Sequence, residues 1–159
     1  MSIPEVGSIA PDFSLPGITV TNGVVEKKTF CLSAQFGAPV VLAFYPGDQT
    51  AVCTAQLCSY QAELAGFEDL GATVWGISKQ DLTSHENFAR KEGLTFPLLA
   101  DENGVAVRRY GVGLKGLGLR RSVFVVDAQG LVRWKHVSLV GARFQNAAVL
   151  QEAITGVLA

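Results

Sequence analysis

The sequence predicts an α/β fold in which a central mixed β-sheet is flanked by helices on both faces. Three apolar runs, Pro39–Tyr45, Ala72–Ser78 and Ser122–Asp127, are rich in β-branched and aromatic residues and have the length of buried strands. Stretches with the apolar spacing of amphipathic helices follow the first two runs and close the chain. This alternation is typical of a sheet with helices packed on it.

Shorter strands complete the predicted sheet. Asp12–Leu15 and Glu26–Phe30 are strand candidates that precede the first long run. The segment Asp127–Gly130 has the composition of a tight turn and joins Ser122–Val126 to Leu131–His136. The sequence therefore predicts extra N-terminal strands and a hairpin near the end of the sheet.

Three helices are predicted from caps and apolar stripes. Thr50 is the expected N-cap of the first helix, whose stripe comprises Leu57, Tyr60, Leu64 and Phe67. In the second helix, Thr83–Glu86 has the spacing of a capping box, and Gly93 marks the C-terminal end. The third helix follows Asn146, and its stripe consists of Val149, Leu150, Ala153, Ile154 and Val157.

Length and charge set limits on domains and partners. The chain of 159 residues suffices for about one domain, so we expect a single domain over residues 1–159. The net charge is −1, and no basic excess indicates a nucleic acid or an anionic membrane. No signal peptide is visible, and the apolar run Val40–Tyr45 is far shorter than the roughly 20 residues of a membrane span. We therefore expect a cytoplasmic protein without a membrane or nucleic-acid partner.

Residues that could carry chemistry are scarce. The chain has three cysteines, Cys31, Cys53 and Cys58, and two histidines, His85 and His136. This set excludes a framework of several disulfides and a site with several histidine ligands, and its spacing does not match a zinc site. Cys31 is expected to be structural. Both histidines are also expected to be structural, with His85 exposed in the first turn of the second helix.

Cys53 is the exception, because it falls in the first turn of a predicted helix beyond the carboxyl end of a strand. Unpaired backbone N–H groups there favour negative charge and hence a reactive thiolate. Cys58 lies five residues further along the same helix. An intact helix would hold their Cα atoms about 8–9 Å apart, whereas a disulfide requires about 4.4–6.8 Å. The two cysteines can therefore bond only after the first turns unwind.

The segment Phe44–Cys58, FYPGDQTAVCTAQLC, resembles the active-site segment of peroxiredoxins, whose pattern is Pro-x-x-x-Thr/Ser-x-x-Cys. The second cysteine five residues on is similar to the peroxiredoxin Q, or bacterioferritin comigratory protein, subfamily. Pro11–Leu15, Phe96–Asp101 and Arg121–Asp127 resemble other parts of the family in the same order, so the likeness covers about residues 4 to 157. One departure is Ala51–Val52, where the family often has Pro-Gly.

The resemblance implies a thioredoxin-like fold and a thiol-dependent peroxidase that reduces hydrogen peroxide and organic hydroperoxides without a metal or organic cofactor. Cys53 would be the peroxidatic nucleophile, and Cys58 would form an intramolecular disulfide with it. Arg121 would stabilise the thiolate, Thr50 would hydrogen-bond the reacting atoms, and Pro46 would shield the pocket. Thioredoxin or a similar dithiol would recycle the enzyme, which the subfamily suggests is a monomer.

Two arginines compete for the family's arginine position. Arg121 directly precedes the Ser-x-apolar run and matches the family, whereas its neighbour Arg120 would point to the opposite face as a solvated charge. The glycine-rich stretch Gly111–Gly118 matches no nucleotide-binding motif and is interpreted as a flexible loop that delivers Arg121.

Three other functions stay open at this point. A general thiol–disulfide oxidoreductase of the same architecture would normally have a Cys-x-x-Cys motif, which this chain lacks. A redox sensor would pass the oxidation state of Cys53 and Cys58 to a partner and would not turn over. A structural binding domain with inert cysteines would not react with peroxide at all.

Overall fold

The computed structural model of the chain, which describes residues 2–114, 116, 118–138 and 144–158, has a mixed sheet with helices on both faces. The strands are β1 (Ser14–Thr21), β2 (Val24–Cys31), β3 (Val40–Phe44), β4 (Thr73–Ser78), β5 (Leu98–Ala100), β6 (Gly113–Leu114), β7 (Gly118–Leu119), β8 (Ser122–Val126) and β9 (Val132–Val137). The helices are α1 (Ala51–Ala62), α2 (Leu64–Asp69), α3 (Leu82–Glu92), α4 (Val105–Arg109) and α5 (Ala147–Leu158), with a short 3-10 helix at Leu32–Gln35. Seven strands form one sheet in the order β2-β1-β5-β4-β3-β8-β9, and β6 pairs with β7.

The central strand β3 aligns the elements that carry the candidate site. It runs parallel to β4 and antiparallel to β8, with Phe44 opposite both Ile77 and Ser122. All five of its residues are buried, which explains why this part of the sequence is a continuous apolar run. Because Ser122 lies opposite Phe44, the residue before Ser122 lies beside the chain where it leaves β3.

Each face of the sheet packs against its own hydrophobic core. On one face, helices α1, α2, α3 and α5 cover alternate residues of the central strands, including Val41, Val74 and Val125. On the other face, helix α4 and the N-terminal segment cover the intervening residues, including Leu42, Trp75 and Phe124. This alternation follows from the two-residue period of a strand. The predicted sheet with helices on both faces is confirmed.

The N-terminal strands are longer than the sequence predicted. The predicted strands were too short: Asp12–Leu15 and Glu26–Phe30 cover only parts of β1 and β2, which pair along eight residues each. Asn22 and Gly23 both have positive φ, 52° and 78°, and form the two-residue turn between the strands. Asn-Gly is the strongest short hairpin signal, and it extends both strands up to the turn. The predicted hairpin of β8 and β9 is confirmed, with an irregular register at Val125 and Val126.

Two helix predictions need correction. The apolar stripe from Leu57 to Phe67 predicted one helix, but the helix is interrupted at Glu63, which separates α1 from α2. The break lets the Phe67 ring pack edge-on against the Tyr60 ring, with centroids 6.3 Å apart. In α3, Asp81 is the N-cap, and its carboxylate accepts a hydrogen bond from the Ser84 N–H at 2.9 Å.

The predicted capping box that begins at Thr83 is therefore wrong, because Thr83 already lies inside the helix. The predicted C-terminal end of this helix is confirmed, since Gly93 adopts the left-handed conformation with φ of 68°. The closing helix α5 begins after Asn146 as expected, and the Asn146 side chain accepts from the Val149 N–H at 3.0 Å.

Several elements carry no clear signal in the sequence. Strand β5 has three residues and helix α4 five, both too short for a periodic pattern. The glycine-rich stretch contains β6 and β7, which pair Gly113 with Leu119 and Leu114 with Gly118. Residues 115 and 117 of this stretch lie outside the described residues. No helix in the described part of the chain is long and apolar enough to cross a membrane.

Candidate active site

The candidate active site surrounds Cys53, whose side chain is fully buried in the first turn of α1. Thr50 has the extended backbone of an N-cap residue, as predicted, and Ala51 begins the helix. The Thr50 hydroxyl does not cap the helix. It donates instead to the Gly47 carbonyl oxygen at 3.1 Å. First-turn N–H groups that no capping side chain occupies are available to stabilise negative charge near the Cys53 sulfur.

Arg121 supplies positive charge to the same position. Its Nη2 donates to the Cys53 sulfur at 3.3 Å, and its side chain is only 4% exposed. The antiparallel pairing of β3 and β8 explains this contact between residues 68 positions apart, because it places Arg121 beside the exit of β3. The structure thus brings together the two residues that the sequence analysis paired through the family resemblance.

A buried chain of polar groups holds Arg121, and the sequence analysis missed it. Arg121 Nη1 donates to Gln56 Oε1 at 2.6 Å, and Gln56 Nε2 donates to the Tyr60 hydroxyl at 3.0 Å. That hydroxyl in turn donates to the Gln145 carbonyl oxygen at 2.9 Å. Burial raises the pKa of Tyr60 to about 12, so its hydroxyl stays neutral. The sequence feature that could have revealed this chain of polar groups is Gln56, a polar residue three positions after Cys53 on the buried face of α1.

The loop Pro46–Thr50 leads directly into α1 and Cys53. Pro46 is half-buried, and its carbonyl oxygen accepts a hydrogen bond from Gln80 Nε2 at 3.4 Å. Gln49 has a φ of 61°, which residues other than glycine rarely adopt. Such a conformation costs roughly 1–3 kcal/mol and persists only where the surroundings hold it in place. The loop is therefore a constrained segment immediately before Cys53 and its helix.

Cys58 lies on the same continuous helix as Cys53, and all three cysteines are free thiols. Its half-buried thiol donates to Glu92 Oε2 at 3.7 Å, on the neighbouring helix α3. Burial, and then the charge and hydrogen bond of Glu92, raise the pKa of this thiol. Cys58 is therefore held as a protonated thiol, and the intact helix keeps it from bonding to Cys53.

The remaining predicted residues lie elsewhere or differ from expectation. Cys31 ends the edge strand β2, where hydrogen bonds from Ser14 and Ser33 lower the pKa of its half-exposed thiol. Arg120 is half-buried rather than solvated, and its Nε is buried without a hydrogen-bond partner among the described atoms. Among the residues whose positions are described, no three Cys, His, Asp or Glu side chains are close enough together to bind a metal ion.

His85 corrects a further expectation. The sequence placed it at an exposed position of the second helix, but its side chain is completely buried. Because α3 begins at Leu82, two residues earlier than a capping box with Thr83 as N-cap implied, His85 turns toward the sheet and contacts the loop before Cys53. A buried histidine against that loop was not evident from the sequence, since Leu82, Phe88 and Ala89 are the only apolar residues of α3.

Comparisons with known proteins identify the family of the chain. The sequence profile of the AhpC/TSA family matches residues 6–135. A chloroplastic peroxiredoxin Q of Triticum aestivum is 38% identical over 130 residues, which cover 80% of this chain and 57% of that protein. A putative peroxiredoxin bcp of Coxiella burnetii is 34% identical over 150 residues, which cover 89% of this chain and 94% of that protein. The chain thus spans little more than half of the plant relative and nearly all of the bacterial one.

The solved structure of peroxiredoxin Q from Xanthomonas campestris matches with a TM-score of 0.75 and 30% sequence identity. The match covers 89% of this chain and 90% of that chain, and the shared fold is thioredoxin-like. The family profile covers most of the chain, and the bacterial relative is matched along almost its whole length. The chain therefore belongs to the AhpC/TSA family, as a peroxiredoxin of the group that includes the Q and Bcp proteins.

Proposed function

We propose that this protein is a thiol-dependent peroxidase that reduces hydroperoxides with Cys53 as its nucleophile. The observation that carries the proposal is the hydrogen bond from the buried Arg121 guanidinium to the Cys53 sulfur at 3.3 Å, at the N-terminus of a helix. A guanidinium remains charged at all physiological pH values and offers several fixed donors. Such a pair favours the thiolate, which is the form that attacks peroxide.

In the first step, the Cys53 thiolate attacks the terminal oxygen of the hydroperoxide and the O–O bond breaks. The sulfur becomes a sulfenic acid, and the other oxygen leaves as an alcohol or as water after it takes up a proton. Arg121 and the first-turn N–H groups of α1 are placed to stabilise the negative charge that develops on the two oxygens. By resemblance to the family, Thr50 and Pro46, which lie in the loop directly before α1, would border the approach of the peroxide.

In the second step, the Cys58 thiol condenses with the Cys53 sulfenic acid, releases water and forms a disulfide. The first turns of α1 must unwind for this step, because an intact helix keeps the two Cα atoms about 8–9 Å apart. An external dithiol then reduces the disulfide by thiol–disulfide exchange. By resemblance to the family, that dithiol is thioredoxin or a similar protein.

The experiment is coupled NADPH oxidation with thioredoxin, thioredoxin reductase and a panel of peroxides. The parent chain is expected to turn over, and Cys53→Ser to be inactive. Cys58→Ser is expected to consume one peroxide per chain and then stall, with a sulfenic acid that dimedone traps at Cys53. Cys31→Ser is the matched control, because Cys31 is a free thiol at the end of β2.

Full coupled activity in Cys53→Ser would rule out the assignment of the nucleophile. One equivalent of peroxide consumed without turnover in the parent chain would favour a redox sensor. Disulfide reduction without peroxide consumption would favour a general thiol–disulfide oxidoreductase.

A further inference from the structure

A second polar cluster is built around Asp48, a residue of the loop Pro46–Thr50. Asp48 is its centre and its carboxylate is 2% exposed. One carboxylate oxygen accepts from the Tyr45 hydroxyl at 2.6 Å. The other accepts from the Ser84 hydroxyl at 2.7 Å and lies 2.7 Å from His85 Nδ1. The steps of the proposed peroxidase reaction do not use this cluster.

The partners of His85 define its protonation state. Its Nε2 lies 3.0 Å from the Leu99 carbonyl oxygen, which can only accept a hydrogen bond, so Nε2 carries a proton. Its Nδ1 faces the Asp48 carboxylate, which is also an acceptor when ionised. Both contacts are hydrogen bonds only when both ring nitrogens donate, which is the arrangement of an imidazolium ion.

The alternative, a protonated Asp48 beside a neutral ring, is disfavoured. Burial by itself raises the pKa of Asp48, but the hydrogen bonds and charge of His85, with further hydrogen bonds from Tyr45 and Ser84, hold it below its usual value. Tyr45 is the other titratable group that faces the ring, at 3.4 Å from Nδ1. Burial raises its pKa well above the usual value, so it remains a neutral donor to Asp48.

The cluster is joined to the loop through the backbone as well. The Asp48 N–H donates to Gln80 Oε1 at 3.1 Å, and Gln80 also holds the carbonyl oxygen of Pro46. The next residue, Gln49, has the positive φ of 61° that only the surroundings can maintain. The contacts of Asp48 are therefore what keep the loop in this conformation, directly before the helical turn that contains Cys53.

We propose that His85 is a positioning residue, held as an imidazolium ion, that fixes the loop Pro46–Thr50 through its buried ion pair with Asp48. This inference rests on the proposed peroxidase function, since the loop directly precedes the helical turn that contains Cys53. Loss of the His85 charge would leave a buried carboxylate without its counter-ion, which is a strongly unfavourable state. The loop would then relax, and the first turn of α1 would lose its alignment with the peroxide.

The first test is the ¹⁵N NMR spectrum of the histidine side chains in the parent chain at pH 8. An ordinary histidine, with a pKa of about 6.5, is mostly neutral there. His85 is expected to show the nearly equal nitrogen shifts of an imidazolium ion, with His136 as the internal comparison. Widely separated shifts at His85, as in a neutral tautomer, would overturn the proposal without any need for a variant.

The second test is the rate of peroxide consumption in His85→Gln and Asp48→Asn. Each variant removes the ion pair, and each is expected to lower kcat/KM for hydrogen peroxide at least tenfold. The kcat/KM of the double variant is expected to be no lower than that of the less active single variant, because both changes break the same interaction. His136→Gln, which changes the other histidine, is expected to stay within twofold of the parent.

Parent-like kcat/KM in folded His85→Gln would overturn the positioning role. If the parent chain itself consumes no peroxide, the proposed function fails, whereas the NMR result still decides whether the imidazolium ion is present. The two failures are therefore distinguishable.

Discussion

Replacing Arg121 with Met tests the central interaction of the candidate site. Methionine keeps a long, unbranched side chain but removes both the charge and the donors that reach the Cys53 sulfur and Gln56. We expect the second-order reaction of Cys53 with hydrogen peroxide to slow markedly, because the thiolate and the developing oxyanion both lose their cation.

The size of the effect follows from the geometry. At 3.3 Å and an effective dielectric constant of about 20, the attraction between Arg121 and a Cys53 thiolate is roughly 5 kcal/mol. That energy corresponds to between three and four powers of ten in rate, at about 1.4 kcal/mol for each tenfold change. This is an upper limit, because the helical N–H groups still act in the variant. A charge-assisted hydrogen bond alone contributes about 1.5 kcal/mol or more, so the loss should be at least roughly tenfold.

The assay is single-turnover stopped flow on the Cys58→Ser background, with the sulfenic acid trapped by dimedone and quantified by mass spectrometry. This background isolates the first chemical step from helix unwinding and from the reductant. Arg120→Met is the matched control, because it removes the neighbouring arginine, for which no contact with the sulfur is described. Arg121→Lys keeps a charge but not the paired donors, and should lie between the parent and Arg121→Met.

A rate for Arg121→Met within threefold of the parent would refute the argument. An equal loss in Arg120→Met would assign the effect to net charge rather than to the contact with Cys53.

Three further predictions concern neighbouring residues. Glu92→Gln should speed the alkylation of Cys58 at pH 8, because the carboxylate that raises the pKa of this thiol is removed. Mass spectrometry of the Cys58 peptide measures the alkylation rate, and an unchanged rate would contradict the prediction. Tyr60→Phe should lower the free energy of unfolding, measured by urea denaturation, by about 1–3 kcal/mol, because the buried Gln56 amide and the Gln145 carbonyl each lose a hydrogen bond. Asp81→Ala should cost about 1 kcal/mol as a lost N-cap, whereas Thr83→Ala should cost far less; the reverse order would restore the predicted capping box.

The local features of the site could be predicted from the sequence, because they depend on short, regular spacings between residues. A buried strand that ends before Pro46, a cap at Thr50 and a cysteine three residues later place Cys53 in the first turn of a helix. The five-residue separation from Cys58 likewise sets a distance through the rise of the helix alone. The Asn22–Gly23 turn shows that another local signal was present but not used, since these residues extend the first hairpin.

The buried polar contacts of the site were harder to predict, because a polar residue in a helix is normally interpreted as exposed. His85 contacts the Tyr45 ring, the Leu99 carbonyl group of β5 and the Asp48 carboxylate. Gln56 is buried in the same way against Arg121. In both cases the cost of burying a polar group is offset by a hydrogen bond to a residue distant in sequence, and no local pattern records that partner.

By itself, the sequence determined the types of the main strands and helices, the position of Cys53 in the first turn of α1 and a separation from Cys58 that an intact helix cannot close. Only the tertiary structure decided which cation and which buried groups meet at that position. The pairing of Phe44 with Ser122 brings Arg121 to Cys53, and the order β5-β4-β3 brings His85 to the loop before it. The physical reason is that helical and strand periods are local, whereas these contacts depend on strand order and register, which bury apolar faces across the whole chain.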